Sequence, residues 1–174
     1  MSKPRILVVW SNYYAELAEK QLDSCLNLLK QSPYDYVVET VEAGTYEIPT
    51  VMQYFHQHEP FDAYIPLSLL LKGSTDHYEF IWEHIKECFI KFAMDGLLLG
   101  NGIISAPNME TMIARVENGE RVQEAFNAVD YLIRFKQRHA NVIPSPHHII
   151  PELPPRHPEL SEGPPTKGTN PNYD

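Results

Sequence analysis

The chain has 174 residues, 43% of them hydrophobic and 21% charged, with 14 basic side chains against 23 acidic ones and a net charge of −9. That length suits one domain that buries roughly two-thirds of its unfolded surface, and the acidic balance argues against a nucleic-acid backbone as partner, which requires a basic face. Cys25 and Cys88 are too few for a disulfide framework, and the opening MSKPRILVVW holds one apolar run far short of a membrane span and without a signal-peptide layout, so the expectation is a soluble, cytoplasmic protein.

Along the chain, apolar runs of strand length alternate with apolar positions at helical spacing. Residues 6–10 form the first run, and Leu17, Leu22, Cys25, Leu26 and Leu29 follow it at helical intervals. Residues 36–41 form the second, followed by Val51, Tyr54 and Phe55. The third, residues 63–71, precedes Phe80, Ile81, His84, Ile85, Cys88 and Phe89. The fourth, residues 96–104, precedes two helical patterns, one with Met109, Met112 and Ile113, the other with Val122, Ala125, Phe126, Val129, Leu132 and Ile133. Unbroken apolar strands alternating with amphipathic helices predict an α/β three-layer sandwich around a four-stranded parallel sheet.

Nine of the 15 prolines fall after Ile143. Proline removes a backbone donor and disfavours helix in the residue before it, so the pattern predicts a folded domain over residues 1–138 and a proline-rich, partly disordered tail over residues 139–174. His147, His148 and His157 in that tail form no preformed metal site.

In a parallel sheet covered by helices, ligands bind beyond the carboxyl ends of the strands. The segments there are chemically rich. Lys72-Gly73-Ser74-Thr75 lies between a strand and a helix start near Asp76, with a glycine for close approach, two hydroxyls and unpaired N–H groups at the helix start. It reads either as an anion cradle, with Lys72 adding charge, or as an ordinary helix start capped by Ser74 or Thr75. His77 follows in the first turn, where the positive helix end favours a proton-accepting imidazole. His84 shares its face but stands two turns away, about 10 Å, too far for joint metal ligation, and no metal is assigned.

In residues 42–49, Gly44 permits a tight turn, Pro49 suits a helix's first turn, and the Glu47 carboxylate either accepts hydrogen bonds from a polyol or complements the helix dipole. After the first strand, Trp10, Tyr13 and Tyr14 offer rings that either stack on a flat heterocycle or pack in the rim. Arg115 and Arg121 either fork onto phosphate or stand as solvated charges.

Read together, these segments resemble the lumazine synthase family from about Ile6 to Leu132. Gly44-Thr45-Tyr46-Glu47-Ile48-Pro49 stands where the family has Gly-Ala-Phe-Glu-Ile-Pro. Asp62-Ala63-Tyr64-Ile65 and Lys72-Gly73-Ser74-Thr75-Asp76-His77-Tyr78 are similar to its Asp-Ala-Val-Ile and Arg-Gly-Glu-Thr-x-His-Phe. Asn101-Gly102-Ile103-Ile104-Ser105 matches a Gly-Val-Leu-Thr strand end, Glu110 with Arg115 its Glu-Gln-Ala-x-x-Arg, and Glu124-Ala125 its last helix. The ordered set, above all Gly-x-Thr-x-His, is specific.

The resemblance implies a flavodoxin-like domain that condenses 5-amino-6-(D-ribitylamino)uracil with 3,4-dihydroxy-2-butanone 4-phosphate to 6,7-dimethyl-8-ribityllumazine, releasing phosphate, without metal or organic cofactor. It implies active sites at the seams of a homopentamer, itself able to enter larger assemblies. By position, Tyr13 stacks on the pyrimidine, Thr45, Tyr46 and Glu47 surround the ribityl chain, and Leu70 and Leu71 lie beside the ring. Asn101 stands on the substrate side, where some members carry an aromatic. Gly73, Ser74 and Thr75 form the phosphate loop, His77 transfers protons, and Arg115 holds phosphate from the neighbouring subunit. Arg121 keeps the charge of a lysine usual in the last helix. Ser74 in place of Glu, Ala43 in place of Pro, and Arg121-Val122 in place of Lys-Gly are departures. They leave a second reading, a binding or shell-forming paralogue that has lost turnover.

Overall fold

The computed structural model describes residues 3–140. Five strands, β1 (Arg5–Ser11), β2 (Asp35–Val41), β3 (Ala63–Leu67), β4 (Leu69–Leu71) and β5 (Ile104–Ala106), alternate with five helices. These are α1 (Ala15–Lys30), α2 (Ile48–His58), α3 (His77–Met94), α4 (Met109–Glu117) and α5 (Glu120–His139). Every strand pairing is parallel. Of the expected tail, residues 141–174 lie outside the described residues, and α5 runs to His139. Among the described residues, no helix is long and apolar enough to cross a membrane.

The two-residue period of β1 explains why helices cover both faces. Ile6, Val8 and Trp10 point into one core with Cys25 and Leu29 of α1, Met112 and Val116 of α4, and Val122, Ala125 and Val129 of α5. Leu7 and Val9 point into the other, with Met52 of α2 and Phe92 of α3. A strand buried on both faces must be apolar at every position, which is what residues 6–10 show.

The expectation of one four-stranded sheet is corrected. The strands form two ladders, a three-stranded one in the order β2-β1-β3 and a two-stranded one of β4 and β5. The reason lies in two backbone groups. Residues 98–104 do bond to β3 and its extension, through Tyr64 N to Leu98 O (2.9 Å), Gly100 N to Tyr64 O (3.0 Å), Gly102 N to Pro66 O (3.1 Å) and Ile104 N to Ser68 O (2.9 Å). Pro66 has no N–H to give back. The Gly102 carbonyl is taken by the side-chain amide of Gln21, at 2.8 Å. The run expected as a strand over residues 96–104 is therefore regular only from Ile104, and the run over residues 63–71 divides at Ser68.

Glycine is required in that irregular stretch. A methyl group at Gly100 would collide with the carbonyl of Ala125, and one at Gly102 would lie 2.5 Å from Leu67 Cδ2. Gly100 lets α5 press its backbone against this stretch, and Gly102 lets the stretch lie close to Pro66 and Leu67.

Candidate active site

The chain runs outward from β1 to β2 and returns to β3 on the other side of β1, so the loops after these strands part at their carboxyl ends. There a cleft of about 480 Å³ opens, lined by Tyr13 and Tyr14 after β1, residues 44–47 after β2, Leu69, Leu70 and Leu71 of β4, Gly73 and Thr75, and the first turns of α3.

One wall is the turn between β2 and α2. It is tied down from below. Ser11 Oγ donates to the Ala43 carbonyl at 2.6 Å, and the hydroxyls of Thr45 and Ser68 lie 2.7 Å apart, both buried. A short 3-10 turn over Thr45–Glu47 then leads into α2, with Pro49 in its first turn as expected. Glu47 precedes the helix without making a side-chain capping bond, and its carboxylate folds back toward Gly44, 3.6 Å from where a Cβ there would sit. That leaves an acceptor at the cleft edge. Thr45, expected to reach a ligand, lines the cleft but commits its hydroxyl to Ser68.

The opposite wall is the turn between β4 and α3. Lys72 N donates to Ala106 O at 2.9 Å, which anchors the turn to β5. Gly73 has nothing within 4 Å of a Cβ position, so a ligand can approach its backbone closely. The residue before α3 is Asp76, and no side chain caps the helix; the expected capping by Ser74 or Thr75 is corrected, and the first N–H groups stay available to an anion. Lys72 does not reach into the cradle. Its ammonium pairs with Glu79 at 2.5 Å, and this hydrogen bond pushes the lysine pKa up and the glutamate pKa down.

His77, the first residue of α3, is exposed and lines the cleft from this second wall. Tyr13, largely exposed, meets Tyr14 edge-on at 5.1 Å, and burial pushes the Tyr14 phenol up. The floor is apolar, from Leu69, Leu70, Leu71 and Ile81. The cleft thus sets an apolar floor between a carboxylate at Glu47 and the open turn at Gly73 and Thr75.

Of the residues expected from sequence, Tyr13, Thr45, Tyr46, Glu47, Leu70, Leu71, Gly73, Thr75 and His77 come together here. Four do not. Ser74 is exposed and outside the lining. Asn101 lies beside Trp82, Glu83 and Phe89 on the outer side of α3, where its side chain accepts from Ile103 N at 3.0 Å. Arg115 donates to the Ser105 carbonyl at 2.6 Å, and Arg121 pairs with Glu124 at 3.0 Å. Both arginines stand away from this chain's own cleft, because α4 and α5 pack on the far side of the sheet from α3.

Sequence reasoning missed Ser68, Tyr78, Phe80 and Ile81. Ser68 carried a signal, since a lone hydroxyl inside an apolar run must find a partner when buried. The helical period of Phe80 and Ile81 reads as core packing; Ile81 is buried in the core and also lines the cleft, while Phe80 is exposed at its edge.

The sequence profile of the family described as 6,7-dimethyl-8-ribityllumazine synthase matches residues 3–137. Among curated relatives of that name, the protein of Jannaschia sp. (strain CCS1) is 27% identical over 116 residues, covering 66% of this chain and 64% of that protein. The protein of Sphingopyxis alaskensis is 27% identical over 135 residues, covering 76% and 95% respectively. That of Novosphingobium aromaticivorans is 26% identical over 136 residues, covering 77% and 97%. A profile match running from before β1 to the last turns of α5 means that this chain belongs to the 6,7-dimethyl-8-ribityllumazine synthase family.

Proposed function

We propose that the protein is a transferase of riboflavin biosynthesis that condenses 5-amino-6-(D-ribitylamino)uracil with 3,4-dihydroxy-2-butanone 4-phosphate and releases phosphate, water and 6,7-dimethyl-8-ribityllumazine. The observation that carries this is the meeting, in one cleft, of a carboxylate-edged turn at Gly44–Glu47, an open anion turn at Gly73 and Thr75, and the His77 imidazole.

The pyrimidine lies over Leu70 and Leu71 with Tyr13 stacked on it, and the ribityl hydroxyls bond to Glu47 and to backbone groups of the turn. The phosphate of the second substrate sits at the amides of residues 73–75 and the start of α3. The pyrimidine's amine attacks the ketone and water leaves, phosphate is eliminated, and the second nitrogen closes the ring onto the carbonyl then formed, with loss of a second water. Each stage moves a proton between nitrogen, carbon and oxygen, and His77 is the group that accepts and returns it. Phosphate departure is eased by hydrogen bonds and a cation placed where negative charge grows. Holding both substrates in one cleft supplies much of the acceleration.

The cation is Arg115 of a neighbouring subunit. The chain's own Arg115 and Arg121 face away from its own cleft, an arrangement that suits a flavodoxin-like domain working in a cytoplasmic homopentamer whose sites are completed across the seam. The test is to mix purified protein with both substrates. Lumazine absorbance and fluorescence appearing together with free phosphate support the proposal; tight binding without product would assign the protein to binding alone.

A further inference from the structure

His84 plays no part in the chemistry above. It stands on α3 seven residues after His77, about 10 Å along the helix, beyond reach of a reacting atom. Its surroundings nevertheless point to the cleft. The His84 ring lies on Tyr46 with centroids 3.9 Å apart and planes 20° apart, and its Nε2 donates to the Tyr46 carbonyl at 3.2 Å. Phe80, one turn earlier, stacks on the same tyrosine at 5.9 Å and 7°. Tyr46 is thereby laid flat across two turns of α3.

The turn that Tyr46 belongs to is held at three places. Ser11 holds the carbonyl of Ala43 and Ser68 holds the hydroxyl of Thr45, both from the ends of strands beneath. His84 holds residue 46 from the side by a hydrogen bond, and together with the Phe80 stack it links the turn to the helix that carries His77. Without that tie, the outer half of the turn, including Glu47, keeps the Phe80 stack and its entry into α2. The tie also consumes the Tyr46 carbonyl, which leaves Glu47 and the remaining backbone groups as the acceptors offered to a polyol.

We infer that His84 is a positioning residue that sets the affinity for the ribityl-bearing substrate by fixing the turn at residues 43–47 against α3. The inference rests on the proposed condensation. A lost hydrogen bond and a lost ring stack each carry modest energies, so His84→Ala is expected to raise the KM for 5-amino-6-(D-ribitylamino)uracil by about five- to tenfold. The kcat, and the KM for the phosphate-bearing substrate, should stay within about twofold, because the anion turn and His77 sit on the opposite wall. His84→Gln restores an N–H donor and His84→Phe restores a ring face, and each should recover part of the loss.

The measurement is steady-state kinetics on the full chain with each substrate varied in turn, for wild type and the three variants. A selective rise in one KM, partly reversed by Gln or Phe, supports the inference. Equal KM values in all four proteins, or a parallel fall of kcat with both KM values altered, would overturn it while leaving the condensation standing. A wild type that forms no lumazine would overturn both.

Discussion

Ser68 is completely buried at the junction between β3 and β4, and its hydroxyl meets that of Thr45, itself 3% exposed. Truncating one partner strands the other in an apolar surrounding, so Ser68→Ala should lower stability by about 1–3 kcal/mol in urea unfolding. Adding Thr45→Val, which removes the stranded hydroxyl as well, should return part of that loss, and a double-mutant cycle reads the coupling directly. His77 has a different duty. It touches the cleft and is not part of the core, so His77→Ala should leave the unfolding midpoint nearly unchanged yet slow lumazine formation by about tenfold or more, within the range expected of proton transfer by a positioned side chain. An unchanged rate would remove His77 from the mechanism. Cys25, buried against α5, has its thiol pushed up to about 12 by burial and is inert packing at neutral pH.

At the scale of elements, the segment between α3 and β5 shows where a local pattern and a tertiary constraint diverge. Residues 97–104 are apolar enough to be a buried strand, and they do run beside β3, but the ladder is interrupted where Pro66 lacks a donor and Gln21 claims the Gly102 carbonyl. Gly100 lies in this stretch because α5 crosses it at backbone distance, and Gly102 because Pro66 and Leu67 crowd it. Gly100→Ala forces a methyl group into the Ala125 carbonyl and should cost about 1–3 kcal/mol or more, read as a lowered thermal midpoint. Gly73→Ala, by contrast, meets open space and should leave stability almost unchanged. The strands of β1 and β2 and the five helices were legible from periodicity alone, because each buries a regular face. The split of the sheet was not, since it depends on which side chain reaches a particular carbonyl.

At the scale of the whole molecule, the proposed phosphate turn lacks, among the described residues, an arginine of its own chain beside it. The anion turn offers amides, while the nearest lysine, Lys72, is paired with Glu79, and Arg115 is held at the end of β5 on the other side of the sheet. If a neighbouring subunit supplies Arg115, then Arg115→Ala should lower kcat/KM for the phosphate-bearing substrate by about tenfold or more while the oligomer persists in solution, since a phosphate contact is lost without disturbing the core. Mass measured by light scattering alongside the assay checks this, and a monomer with full activity would contradict the shared site.

What the sequence determined by itself was the α/β alternation, the positions of the loops at the strand ends, and the family, because hydrophobic period and short ordered motifs are written locally in the chain. Nine of the expected site residues line one cleft, since a parallel sheet gathers its strand ends at one edge. Only the tertiary structure decided that Thr45 spends its hydroxyl on Ser68, that Lys72 pairs with Glu79, that His84 braces Tyr46, and that Asn101, Arg115 and Arg121 turn away from the cleft. Each of these depends on which groups from distant segments come within hydrogen-bonding distance, and that is fixed by how helices pack across the sheet, a property no single segment contains.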